Sequence, residues 1–226
     1  MMEEMEPLRL EISERVAHIV LDRPPDNRMN MNFFSSLAGI VEEIRECKGI
    51  GAALVYSSSR HFSAGADVED VKKSALQPYL EGEDAQETVC GNARVLRQLE
   101  TLNIPVISAI SGVCTGSGLE LALACNIRIC STDALLGCPE LSWGIITGLS
   151  GSIRLEKTVG RSRAKEIILR GDMINGKEAY DIGLVDIMVK RSQLLPTALK
   201  LAGLYSEQAK SIGNTHIKKF VMNVLG

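Results

Sequence analysis

The sequence predicts an α/β protein, and three observations predict it. Short apolar runs have strand character, as in Ala52-Ala53-Leu54-Val55-Tyr56 and Val106-Ile107-Ser108-Ala109-Ile110. Phe33, Leu37, Ile40, Val41 and Ile44 recur at helical spacing. The two kinds of segment alternate through the middle of the chain. At 226 residues, 45% hydrophobic and 23% charged, the chain is long enough for one core and ordinary for a globular protein.

The elements follow in order. Residues 8–12 and 16–21 alternate with period two around the turn-like Ser13-Glu14-Arg15, the pattern of a β-hairpin. Residues 32–47 read as a helix, with Asn30 or Asn32 as its cap. Residues 52–56 read as a buried strand. The polar stretch 71–82 carries Gln77-Pro78 and reads as a mobile loop. A helix starts at Asp84 and runs through Val89, Ala93, Leu96 and Leu99. Residues 106–110 are then a strand, 118–125 a buried helix and 127–130 a strand. Two helices come next, at 150–159 and 163–170. A strand at 184–189 and a helix from Gln193 to about residue 209 complete the pattern. No internal repeat and no low-complexity tract is visible.

Charge and composition exclude several classes of function. A net charge of −3 argues against a nucleic-acid or anionic-membrane surface. No apolar run is long enough for a transmembrane helix. The opening Met1-Met2-Glu3-Glu4-Met5-Glu6 is acidic and lacks the apolar stretch of a secretory signal, so a cytoplasmic protein is expected. Cys47, Cys90, Cys114, Cys125, Cys130 and Cys138 form no C-x-x-C pair and read as free thiols in a reducing compartment. With only His18, His61 and His216 as histidines, no metal site is expected.

Two segments carry the chemistry: Phe62-Ser63-Ala64-Gly65-Ala66-Asp67 and Cys114-Thr115-Gly116-Ser117-Gly118-Leu119-Glu120. Each places small residues where a chain leaves a strand and can open a helix. The first N–H groups there lack intrahelical partners and lie at the positive end of the helix dipole. Two of them converging on one point would make an oxyanion hole. Glu120 follows at once, and a second carboxylate, Glu140, lies in Gly137-Cys138-Pro139-Glu140. The glycine-rich run is not a G-x-G-x-x-G nucleotide loop.

These residues resemble the crotonases, the enoyl-CoA hydratase/isomerase superfamily. Ser63-Ala64-Gly65-Ala66-Asp67 is similar to the family's S-A-G-A-D, and residues 104–112 to its K-P-V-I-A-A-V-N-G. Gly116-Ser117-Gly118-Leu119-Glu120-Leu121-Ala122 is similar to G-G-G-x-E-L-A. Pro139-Glu140 with Gly144 and Gly148 matches P-E-x-x-x-G-x-x-x-G. Gly171-Asp172, Ile174, Glu178-Ala179 and Gly183-Leu184-Val185 match the later G-D-x-I-x-A-x-E-A-x-x-x-G-L-V. Asp22-Arg23-Pro24 with Asn27 and Asn30 resembles the N-terminal N-R-P-x-x-x-N-A-L-N. The motifs fall in the right order from residue 8 to about residue 204. Three positions depart from them: Ser117 stands for a glycine, Ile104 for a lysine and Asn126 for an aspartate.

The resemblance implies a crotonase-like spiral of repeated ββα units, here residues 1–190, usually assembled as trimers or hexamers. It also implies a shortened C-terminal helical region, residues 191–226, because family members continue with further helices that help cover the acyl-CoA site. It implies that the N–H groups of Ala66 and Ser117 form the oxyanion hole, that Glu120 and Glu140 are the acid/base pair, and that Gly148 helps hold the water. It places Ala64, Ala66, Asp67, Arg23 and Arg28 at the coenzyme A moiety, with no cofactor beyond the coenzyme A thioester as substrate. Residues 71–82 would line the acyl tunnel. Trp143 reads as core filler, with a wall of the acyl pocket as the other reading; Asp67 alone could equally cap a following helix. The function implied is hydration of an α,β-unsaturated acyl-CoA. The alternatives are an isomerase, which tends to keep only the carboxylate at position 140, and a non-catalytic acyl-CoA-binding or assembly subunit.

Overall fold

A computed structural model describes residues 6–67, 84–144 and 149–212, with main chain alone at 84–90 and 211–212. Strands β1 (Leu8–Ser13) and β2 (Val16–Leu21) form the hairpin, paired antiparallel from Leu8 opposite Leu21 to Ser13 opposite Val16. Helix α1 (Met31–Glu46) is capped by Asn30, whose side-chain oxygen accepts the Phe33 N–H at 3.0 Å. It buries Phe33, Phe34, Leu37, Val41 and Ile44 along one stripe. Then come β3 (Ala52–Ser57), α2 (Asp84–Glu100), β4 (Val106–Ile110), β5 (Val113–Thr115), α3 (Ser117–Ala124), β6 (Ile127–Ser131) and β7 (Leu135–Gly137). A 3₁₀ turn, Pro139–Trp143, precedes α4 (Gly151–Val159) and α5 (Arg161–Arg170). The last elements are β8 (Ile174–Asn175), α6 (Gly176–Asp181), β9 (Ile187–Val189) and α7 (Arg191–Ile212).

The strands sort into two sheets, and this sorting makes the spiral. One sheet has the order β1-β2-β3-β4-β6-β9, parallel beyond the hairpin; the other is β5-β7-β8. Each turn sends its first strand to the large sheet (β3, β4, β6) and its second to the small one. There β5 and β7 pair in parallel, and Ser63 bridges to Cys114. A helix then closes the turn, and the motif repeats as successive ββα units.

The large sheet is buried on both faces, which is why its strands read as continuous apolar runs. Ala17, Ile19, Leu21, Ala53, Val55, Val106 and Ile110 point into the core shared with α1 to α5. The alternate residues, Ala52, Leu54, Ile107, Ala109, Ile127 and Ile129, meet Leu194, Ala198, Ala202 and Ala209 of α7. Burying each such leucine, isoleucine or phenylalanine contributes roughly 1.5–3 kcal/mol. The segment beginning at 191 thus packs on the sheet of the preceding residues.

Some sequence expectations need correction. The strand expected at 184–189 is only Ile187–Val189: α6 ends at Asp181, Gly183 (φ +75°) turns the chain, and the Leu184 and Val185 N–H groups both donate to the Ala179 carbonyl. Trp143 is not core filler. It is 61% exposed on the 3₁₀ turn, because the left-handed Gly144 (φ +71°) ends that turn with its residues facing outward. The stretch 71–82 and Cys90 lie outside the residues whose side chains are described. Cys114, Cys125, Cys130 and Cys138 are buried free thiols, and Cys47 is an exposed one. Two family departures keep a structural role. Asn126 accepts the Val106 N–H at 2.9 Å, and Ile104 is buried in the core. Among the described residues no helix is long and apolar enough to cross a membrane, and no cluster of metal-ligating side chains is present.

Candidate active site

The two glycine-containing segments meet where the small sheet begins. The Ser63 N–H donates to the Val113 carbonyl and the Thr115 N–H to the Ser63 carbonyl, each at 3.0 Å. The contact is backbone on backbone, so side chains are excluded. A Cβ on Gly65 (φ +90°) would lie 2.9 Å from the Thr115 carbonyl oxygen, and one on Gly118 would lie 2.8 Å from Ser63. The buried Asn27 ties the N-terminal segment to this junction: its amide donates to Ser57 Oγ and to the His61 and Phe62 carbonyls, while Ser63 Oγ donates to its carbonyl at 2.7 Å. Ala66 and Ser117 each follow a glycine of the junction. Ser117 is the first residue of α3, so its N–H has no acceptor within the helix. Among the described residues neither the Ala66 nor the Ser117 N–H has a partner.

Glu120 is one turn along α3 and only 1% exposed. Its Oε1 accepts two backbone N–H groups, from Leu149 at 2.9 Å and Gly151 at 2.8 Å. Both converge because Ser150 between them is left-handed (φ 66°, ψ 23°), a conformation that non-glycine residues adopt rarely. The carboxylate therefore sits on the N-terminus of α4, where the helix dipole favours an anion. Gly151 leaves no space for a side chain: a Cβ there would lie 2.5 Å from Glu120 Cγ and Oε1.

Glu140 reaches the same place from the 3₁₀ turn. A Cβ on Gly116 (φ +52°) would lie 3.3 Å from its Oε1. Its Oε2 is buried and has no hydrogen-bond partner. Burial first, and the Glu140 charge second, push the Glu120 carboxyl up to about 7, against the Gly151 and Leu149 N–H groups and the cation of Arg154, which pull it down. Burial raises the Glu140 carboxyl as well. The Cys138 thiol is pushed far up by burial and then by the two carboxylates, which marks it as an inert neighbour.

Arg23, Arg28 and Asp67 gather on the outer side of Ala66. Arg23 reaches Asp67 Oδ2 at 3.4 Å and donates to the Arg28 carbonyl at 2.7 Å. Arg28 pairs with Asp26 at 3.1 Å and approaches the Ala66 carbonyl at 3.5 Å. Ala64 donates its N–H to the Asp26 carbonyl. The structure thus brings together Ala64, Ala66, Asp67, Arg23 and Arg28 on one side, and Ser117, Glu120 and Glu140 on the other. Gly148, and any helix that Asp67 would cap, lie outside the described residues.

Sequence reasoning missed Leu149, Ser150, Gly151 and Arg154. The available signal was helical spacing, which places Gly151, Arg154 and Leu155 on one face of α4, and all three are buried.

Known proteins resemble this chain in sequence and in fold. Residues 11–224 match the family model described as Enoyl-CoA hydratase/isomerase. A Bacillus subtilis (strain 168) protein named "Probable enoyl-CoA hydratase" is 35% identical over 207 residues, which cover 91% of this chain and 78% of that protein. The fatty acid oxidation complex subunit alpha of Shewanella amazonensis is 37% identical over 192 residues; these are 83% of this chain, which spans only 26% of that longer protein. The crystal structure of an enoyl-CoA hydratase from Bacillus anthracis superposes with a TM-score of 0.80 at 30% identity, over 88% of this chain and 76% of the other. The chain belongs to the enoyl-CoA hydratase/isomerase family and has its crotonase fold.

Proposed function

We propose that this chain hydrates the C2–C3 double bond of an α,β-unsaturated acyl-CoA. The observation that carries the proposal is the pair of carboxyls, Glu120 and Glu140, both raised by burial, with Glu140 Oε1 against Gly116, the residue before the unpartnered Ser117 N–H. As water adds to C3, negative charge develops on the thioester oxygen. Two backbone N–H groups aimed at that oxygen stabilise it without reorganising. Glu120, poised near neutrality, takes the proton from water as its oxygen bonds to C3. The step needs Glu140 to enter carrying a proton, and its partnerless Oε2 is the oxygen placed to deliver that proton to C2. The proton held by Glu120 then returns Glu140 to its starting state through solvent. Nothing is oxidised, and the water is fully accounted for as hydroxyl on C3 and hydrogen on C2.

Ala64, Ala66 and Asp67, with Arg23 and Arg28, are assigned to the coenzyme A moiety, the arginines facing its phosphates. The thioester is the substrate, and no separate cofactor is assigned. Assembly as a trimer or hexamer belongs to the same proposal, and a stable monomer in light scattering at micromolar concentration would exclude it.

The test is crotonyl-CoA hydration with Ser117 varied. Ser117→Gly and Ser117→Ala keep the N–H and should change kcat little. Ser117→Pro removes the N–H at a helix position where proline fits. It should cost on the order of 100- to 1,000-fold in kcat, with circular dichroism confirming the fold. Loss of activity in folded Ser117→Ala would make the hydroxyl the catalytic group and end this mechanism. Acyl-CoA binding by calorimetry without turnover on any enoyl-CoA would instead favour a binding subunit.

A further inference from the structure

Arg154 is a buried charge that the proposed reaction does not use. It is 6% exposed, on the inner face of α4. Its Nη1 donates to the Leu149 carbonyl at 2.6 Å and its Nη2 to Glu100 Oε2, at the end of α2, at 3.2 Å. Its main-chain N–H donates to the Ser150 carbonyl at 3.2 Å. Leu149 is therefore gripped at both polar ends: its N–H by Glu120, its carbonyl by Arg154. The left-handed Ser150 that aims the Leu149 and Gly151 N–H groups at one oxygen lies inside this grip. Such a residue persists where its surroundings hold it.

Two facts argue that Arg154 is there for what it holds. Its Nε is buried without a partner, so the burial leaves one of its own donors unsatisfied. A buried arginine is also a costly way to fill space. A cleft of about 590 Å³ behind it, lined also by Leu123, Lys157, Thr158 and Tyr205, gives Glu100 contact with solvent. The ion pair is thus partly exposed at Glu100 and enclosed at Arg154.

From these contacts we infer that Arg154 is a positioning residue for Glu120: it locks the 149–151 turn that holds the carboxylate and stands as the cation behind it. The inference rests on the reading that Glu120 moves a proton. The charged and titratable groups around Glu120 are Glu140 from the 3₁₀ turn, Cys138 before it, Arg154 from α4 and, through Arg154, Glu100 from α2. Glu140 opposes ionisation of Glu120 and Arg154 favours it.

The experiment reads Glu120 directly, by carbon-13 NMR titration of protein labelled at glutamate carboxyls, with the signal assigned by its loss in Glu120→Gln. Removing the cation in Arg154→Met should raise the Glu120 midpoint by roughly one pH unit, the scale of a nearby opposite charge. The acid limb of the kcat profile on crotonyl-CoA should move up with it. At pH 7 kcat should fall roughly fivefold or more as the ionised fraction shrinks, while KM stays within roughly twofold, since Arg154 does not touch substrate. Arg154→Lys, which restores the charge, should return most of the shift. An unchanged midpoint in folded Arg154→Met overturns the inference. Should that variant fail to fold, Glu100→Gln keeps the shape and removes the anion on the far side of Arg154. The midpoint should then move down, and an unchanged or raised one overturns the inference. A midpoint that moves in a protein with no turnover refutes the hydratase reading and leaves the positioning role standing. Turnover with a fixed midpoint does the reverse.

Discussion

Glu120 and Glu140 present the same functional group from two differently built regions. Glu120 lies on a regular helix, and one of its oxygens is pinned by two backbone N–H groups, with Arg154 behind them. Glu140 lies on a 3₁₀ turn whose residues are at most half-buried, and its Oε2 meets no donor. The first arrangement suits a base that must hold one geometry while water is aligned. The second suits an acid whose free oxygen must face whatever substrate enters. Burial raises both, more completely for Glu120, and hydrogen bonding adds a second difference between them.

The largest expected effect tests whether both carboxyls act. Glu120→Gln and Glu140→Gln should each lower kcat for crotonyl-CoA hydration by at least about 100-fold, the scale of a lost general acid or base. Affinity should change little, because the amide keeps the shape and its oxygen can still accept the Leu149 and Gly151 N–H groups. Near wild-type turnover in Glu120→Gln, with loss in Glu140→Gln, would break the pairing and point to a one-carboxylate isomerase.

A smaller effect separates the pinned carboxyl from the free one. In Gly151→Ala the new Cβ would need to share space with Glu120 Cγ and Oε1, 2.5 Å away, so the carboxylate must leave its two N–H donors. A displacement of that kind costs roughly 10- to 100-fold in kcat. Steady-state kinetics on a variant shown to be folded checks it, and unchanged kcat would mean that the pinning is dispensable.

The last effect is on stability, not turnover, and has a definite sign. The Glu120 carboxyl stands at about 7 in the native state against 4.5 for the free group, so between those values the native state binds more protons than the unfolded one. Stability contributed by this site therefore falls as pH rises from 4.5 towards 7. Glu120→Gln removes that penalty. It should be more stable than the parent above pH 7 by on the order of 3 kcal/mol at most, and should match it below pH 4.5. Glu140→Gln should show the same sign and a lesser gain, because its burial is partial. Denaturant melts at pH 4 and pH 8 read both, and a stability gain at pH 4 equal to that at pH 8 would rule out the electrostatic cause.

Much of the fold was legible. The stripe of Phe33, Leu37, Val41 and Ile44 locates α1, and the capping role of Asn30 was one of two readings that the sequence left open. The runs that became β3 and β4 read as buried strands because α7 and the inner helices cover both faces of the sheet. The strands Val113–Thr115, Leu135–Gly137 and Ile174–Asn175 were not legible, since two or three residues carry no period. Trp143 was misjudged because side-chain size says nothing of which way a 3₁₀ turn faces.

The sequence by itself determined where the small residues, the two glutamates and the periodic apolar faces would be. Those depend on residue type and on local spacing, which the chain carries within a few positions. Only the tertiary structure decided what Glu120 would touch. Leu149 and Gly151 are some thirty positions away, and whether their N–H groups reach one oxygen depends on the left-handed Ser150 and on where α4 docks. The docking is set in turn by Arg154 reaching Glu100, 54 residues distant in sequence. Local propensity cannot encode a contact of that kind, because its free energy exists only once the helices have packed.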